Sequence, residues 1–131
     1  EERQKVHLLG LLAFLDPPRP DAKATIELAT SYGVHVKMIT GDHLLIARET
    51  AKALNLGNAN ILQCTADNLP TFDLKACRGS VPDTLGREYG DRILGADGFS
   101  QALPEHKFVI TEALKQRGCI VGMVGDGVND A

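Results

Sequence analysis

Val34-His35-Val36-Lys37-Met38-Ile39-Thr40-Gly41-Asp42-His43-Leu44 carries the clearest change of period in the chain. Val34, Val36 and Met38 alternate with His35 and Lys37, as in a half-buried strand. Thr40-Gly41-Asp42 breaks the alternation as a turn, and Asp42 stands where a helix cap is expected. Leu44, Ala47, Ala51 and Leu54 then recur at helical spacing, with Gly57 just past the stop. A strand that empties into a polar, glycine-containing loop and then a helix is the building unit of a parallel sheet covered by helices.

The same unit recurs on both sides. Residues 6–15 form an apolar run that reads as a buried strand, halted by Pro17, Pro18 and Pro20. Pro20 and Asp21 resemble a helix first turn. Ala22, Ile26 and Ala29 extend that helix to about Tyr32, where Gly33 ends it. Ile61 and Leu62 suit a short strand. Residues 64–98 are rich in Asp, Gly, Pro and Thr, and short helices and loops are expected there. Residues 99–103 read as a strand. Pro104 and Glu105 open a helix with Val109, Ile110, Ala113 and Leu114 on one side and Gly118 at its stop. Residues 120–124 read as a last strand, emptying into Gly125-Asp126-Gly127-Val128-Asn129-Asp130. The fold class expected is α/β, a mainly parallel sheet with helices on both faces. In such sheets function gathers at the carboxyl ends of the strands, where Thr40-Gly41-Asp42 and residues 125–130 both fall.

A chain of 131 residues fits one domain with a real core. With 44% hydrophobic and 24% charged residues its chemistry is globular and not disordered. Fourteen basic against seventeen acidic residues, with no basic block, argue against nucleic acid as a partner. The longest apolar stretch, residues 8–15, falls far short of the roughly 18 residues that span a bilayer. Glu1-Glu2-Arg3-Gln4-Lys5 does not open a signal peptide. Three cysteines, Cys64, Cys77 and Cys119, are widely spaced without a CxxC pair, which points to reduced thiols in a cytosolic setting.

The loops carry the chemistry. Residues 125–130 lack the third glycine of a dinucleotide fingerprint and the Gly-Lys-Ser/Thr of a phosphate loop. Two readings stand. Asp and Asn supply turn geometry, or the carboxylates gather a cation, for which magnesium with phosphate oxygens is suited. Thr40-Gly41-Asp42 is either a plain cap and turn or an anion site with a hydroxyl, an open amide and a carboxylate at a helix start. Lys107 sits in a first turn, where a cation opposes the helix dipole. It is either a solvated lysine or a cation facing a bound phosphate or carboxylate. His106 beside it reads as a surface histidine. His7, His35 and His43 show no metal-ligand spacing. Asp16, followed by Pro17-Pro18, reads as part of a rigid joint over residues 16–20.

Taken as an ordered set, Asp16-Pro17-Pro18-Arg19-Pro20, Met38-Ile39-Thr40-Gly41-Asp42, Pro104-Glu105-His106-Lys107 and Gly125-Asp126-Gly127-Val128-Asn129-Asp130 resemble P-type cation-transporting ATPases. The surroundings of Asp42 and Lys107 look like the plasma-membrane proton-pump branch. The resemblance implies the C-terminal part of a phosphorylation domain with a haloacid-dehalogenase-like Rossmannoid sheet, incomplete at its N-terminal side. Residues 1–20 would be a hinge strand and joint, with Asp16 and Arg19 facing the nucleotide domain, and 64–97 a variable, loop-rich segment. Thr40 and Gly41 would hold phosphoryl oxygens and Asp42 would order the site. Lys107 would neutralise charge between nucleophile and phosphate. Asp126 would ligate Mg2+, with Asn129 and Asp130 in the phosphate and metal shell. ATP would be the substrate of a longer parent at the plasma membrane, this segment lying on its cytoplasmic side. The family's Asp-Lys-Thr-Gly-Thr segment, which carries the phosphorylated aspartate, is absent from the sequence, as are the nucleotide-binding, actuator and membrane domains. The expectation is a fragment. Alternatives are a soluble haloacid-dehalogenase-like phosphatase, or a non-catalytic magnesium-binding module.

Overall fold

A computed structural model of the chain describes residues 7–14, 16–72 and 81–125. In chain order the elements are α1 (Ala22–Ser31), β1 (Met38–Ile39), α2 (Leu44–Ala53), β2 (Ile61–Gln63), α3 (Leu85–Leu94), β3 (Gly98–Ser100) and α4 (Pro104–Gln116). The strands form one parallel sheet in the order β1-β3-β2. Gly98 is in register with Met38 on one side and Ile61 on the other.

Alternation along these short strands sends side chains to two cores. Ile39, Leu62 and Phe99 join Leu85 and Ile93 of α3 and Val109, Ile110, Ala113 and Leu114 of α4. Met38 and Ile61 join Ala47 and Ala51 of α2, with Ile26 of α1 packed against them. Helices therefore cover both faces, as the alternating periods imply, and the chain has the α/β architecture with a parallel sheet expected of it. On the α2 face a Cβ at Gly98 would lie 2.8 Å from the Met38 carbonyl oxygen and 2.9 Å from Ile61 Cδ1. The central strand is thus free of a side chain where its neighbours close over it.

Among the described residues of 64–97 the helix is α3, which meets α4 through two glycines. A Cβ on Gly86 would meet Gln116 Cβ at 2.6 Å, and one on Gly90 would meet Arg117 Cγ at 2.5 Å. Gln116 reaches back, its Oε1 accepting the Gly86 amide at 2.7 Å and its Nε2 donating to the Pro82 carbonyl at 3.0 Å. Glycine lowers helix propensity, so the residues that let α3 approach α4 also hid the helix from a pattern reading.

Five strand and cap expectations are corrected. Residues 7–14, within the expected buried strand 6–15, have no strand structure, and Leu9 is 98% exposed. Apolarity states a demand for burial without supplying the surface. The strand expected from Val34 starts only at Met38, and the one expected over 99–103 ends at Ser100 because Gln101 turns with φ +52. Residues 120–124 pair with no strand among the described residues, and Ile120 and Val124 are fully exposed. Asp42 does not cap α2; His43 does, its Nδ1 accepting the Leu45 amide at a long 3.5 Å. None of the described helices is long and apolar enough to cross a membrane.

Candidate functional site

The Thr40-Gly41-Asp42 turn begins where β1 leaves the sheet. The Thr40 amide donates to the Phe99 carbonyl at 2.9 Å, extending the β1–β3 pairing by one step. Thr40 Oγ1 donates to Asp42 Oδ2 at 2.9 Å and accepts the Asp42 amide at 3.1 Å. This side-chain turn holds threonine and aspartate together without help from α2. A Cβ at Gly41 would come no closer than 3.9 Å to the Ala102 carbonyl oxygen. Packing therefore leaves room for a side chain there, and glycine keeps the space open.

A cavity of about 450 Å³ lies between this turn, α4 and the segment 121–125. Thr40, Gly41 and Lys107 all line it, as do Gly122 and Gly125. The titratable groups among its described lining residues are His35, Lys37 and Lys107, with no carboxylate. The cavity runs along the open edge of β1, and its end at the carboxyl terminus of that strand, where Thr40, Gly41 and Lys107 meet, suits an anion. Of its two ammonium groups, that of Lys37 is tied to the sheet's far side. Lys37 Nζ donates to the Leu94 carbonyl at 2.8 Å and to the Ala96 carbonyl. Burial lowers its pKa below the ordinary lysine value, and Asp97 works against that shift.

The structure thus brings Thr40, Gly41 and Lys107 onto one cavity, with Asp42 bonded to Thr40 just outside its lining. Asp126, Asn129 and Asp130 lie outside the described residues, as does Cys77; Gly125, the last described residue, is in the cavity wall. Asp16 and Arg19 are exposed, in no regular element and not among the cavity's lining residues. Among the described residues no group of three His, Cys, Asp or Glu could hold a metal ion. The residues expected to hold magnesium, Asp126 and Asp130, are among those outside the described residues.

His106 corrects the surface reading. It is 3% exposed, and its Nδ1 accepts the Leu103 amide at 2.9 Å. Burial lowers its pKa below the ordinary histidine value, and Glu105 opposes the shift. The signal was available in sequence. Pro104 at the first helical position puts His106 third in the helix, the position from which a capping-box acceptor reaches back.

All 131 residues match the family model described as haloacid dehalogenase-like hydrolase, and the chain belongs to that family. Within it, the resemblance to proton-pumping P-type ATPases extends over the whole chain. The sequence is 53% identical over 131 residues to "Probable proton ATPase 1A" of Leishmania donovani. It is 43% identical over 129 residues to "Plasma membrane ATPase" of Dunaliella bioculata, and 41% over 124 to "Plasma membrane ATPase 2" of Saccharomyces cerevisiae. These alignments cover 100%, 97% and 95% of the chain but only 13%, 11% and 12% of the relatives' length.

Proposed function

We propose that this chain is the phosphate- and magnesium-holding segment of an ATP-driven, proton-exporting pump that cycles through an aspartyl-phosphate. The observation that carries the reading is the shared cavity of Thr40, Gly41 and Lys107, basic in its described lining and walled by the segment that runs into Asp126. The pump would lie in the plasma membrane with this segment on its cytoplasmic side. The nucleotide-binding, actuator and membrane domains would belong to the rest of the polypeptide.

The chemistry follows from the charges. Bringing a phosphoryl group to a carboxylate sets anion against anion, and catalysis is mainly positioning and charge stabilisation. The Lys107 ammonium offsets that repulsion. The Gly41 amide and the Thr40 hydroxyl donate to phosphoryl oxygens. To do so the hydroxyl turns away from Asp42 Oδ2, which it contacts at 2.9 Å. Asp42 then keeps the turn in shape through its amide bond to Thr40 Oγ1. Asp126 and Asp130 would hold magnesium, which supplies charge neutralisation at phosphate oxygens when bound.

The reacting aspartate would come from a strand elsewhere in the polypeptide. β1 pairs only on its β3 side among the described residues, and the cavity lies between Ile39 of β1 and residues 121–125. A strand entering there would end beside Thr40 and Lys107, and would give residues 120–124 the neighbour they lack.

Replacing Lys107 with Ala in the full-length pump tests the reading. Loss of one such charge contact costs about 3 kcal/mol in the transition state, or about a hundredfold in phosphoenzyme formation. Nucleotide affinity should be unchanged, because it resides in another domain. Rapid acid quench with labelled ATP measures the first and equilibrium nucleotide binding the second. A phosphorylation rate near wild type would return Lys107 to the solvated-lysine reading.

A further inference from the structure

One short loop ties the Thr40–Asp42 turn to the start of α4. Successive amides of that loop do the work. Gln101 N–H donates to the Asp42 carbonyl and Ala102 N–H to the Thr40 carbonyl, each at 2.9 Å. Leu103 N–H donates to Nδ1 of His106 at 2.9 Å, and His106 N–H returns to the Leu103 carbonyl at 3.0 Å. Gln101 holds φ +52, a left-handed conformation that costs a residue with a side chain. Its side-chain oxygen accepts from Gln63 Nε2 on β2. The loop is therefore held in one strained shape by the turn, by β2 and by α4.

We propose that His106 is a positioning residue for phosphoryl transfer: its Nδ1 is the α4 anchor of a clamp that keeps Lys107 in register with the Thr40–Asp42 turn. The proposal rests on the role given to Lys107 above. Lys107 follows His106 directly, so a shift in the first turn of α4 moves the cation. An acceptor is needed at this position, because the Leu103 amide is one of the donors a helix start leaves without an intrahelical partner. Accepting at Nδ1 puts the proton of the neutral ring on Nε2. That Nε2 is buried with no hydrogen-bond partner among the described residues. A buried unpaired N–H costs desolvation free energy that an aliphatic side chain would not. Leucine would remove that cost but would leave the Leu103 amide without its acceptor. What histidine adds is the acceptor.

The experiment uses the full-length pump carrying H106L, H106M, H106Q, K107A and the H106L/K107A pair, read by acid-quench phosphoenzyme formation and nucleotide binding. H106L and H106M lack the acceptor and should slow phosphorylation by about tenfold or more, as misplacement of a reacting group does. H106Q restores an acceptor that reaches back from the third helical position and should stay within about threefold of wild type. Because the effect runs through the lysine, H106L should add less than about twofold in the K107A background. Nucleotide binding should not move. H106L and H106M at wild-type rate, H106Q as slow as either, or an undiminished H106L effect without Lys107 would each overturn the proposal. K107A at wild-type rate would instead overturn the site reading beneath it.

Discussion

The α3–α4 contact offers a stability test in which two similar substitutions should part ways. Gly86→Ala places a methyl group 2.6 Å from Gln116 Cβ and 3.1 Å from the Ala113 carbonyl oxygen. Carbon atoms settle about 3.5–4.0 Å apart, so α4 must recede by on the order of 1 Å. The obstruction is Cβ and backbone, not a mobile side-chain end. Overpacking of this kind costs about 1–3 kcal/mol. Alanine returns about 1 kcal/mol of helix propensity over glycine. The displacement also strains the 2.7 Å bond from the Gly86 amide to Gln116 Oε1. The net is a loss of about 1–2 kcal/mol. Gly90→Ala meets Arg117 Cγ at 2.5 Å and Cδ at 2.7 Å, atoms of a flexible side chain that can swing away. Its cost is the exposed Arg117–Asp91 ion pair, worth under about 1 kcal/mol, against the same propensity gain. Gly90→Ala should therefore fall within about 0.5 kcal/mol of wild type. Urea unfolding of the 131-residue chain, followed by far-ultraviolet circular dichroism, measures both. A Gly86→Ala chain as stable as the Gly90→Ala chain would refute the close helix contact.

Two further outcomes are expected. The isolated chain should neither hydrolyse ATP nor form a phosphoenzyme, since its sequence lacks the Asp-Lys-Thr-Gly-Thr segment. Incubation with labelled ATP and magnesium, then acid quench, checks this, and hydroxylamine-sensitive label on the chain would show that another carboxylate serves. Cys64 should resist alkylation, because burial pushes its thiol up to about 11 and only the thiolate attacks. Its iodoacetamide labelling, followed by mass spectrometry, should be slow at pH 8 and rise about tenfold per pH unit toward that value; labelling at the rate of a free thiol would contradict its burial.

The local periods were legible because they depend only on backbone geometry. The α2 stripe Leu44, Ala47, Ala51 and the α4 stripe Val109, Ile110, Ala113, Leu114 could be read residue by residue, and so could the stops at Gly33, Gly57 and Gly118. These glycines hold φ of +80, +48 and +81, values that need no tertiary partner to be favourable for glycine. The Thr40-Gly41-Asp42 and Pro104-Glu105-His106-Lys107 motifs were likewise plain in sequence, because turn and helix-start chemistry is local. Tertiary structure alone decided the sheet order, which puts β3 between β1 and β2 although β2 precedes it in the chain. It also decided which apolar runs found a surface: Phe99 did, while Leu8, Leu9 and Ile120 did not. Pairing and burial join residues far apart in sequence, and a hydrophobic run carries no address for its partner. The same reason hid α3, whose glycines make sense only against α4, and His106, whose burial depends on what packs over it and not on its neighbours in the chain.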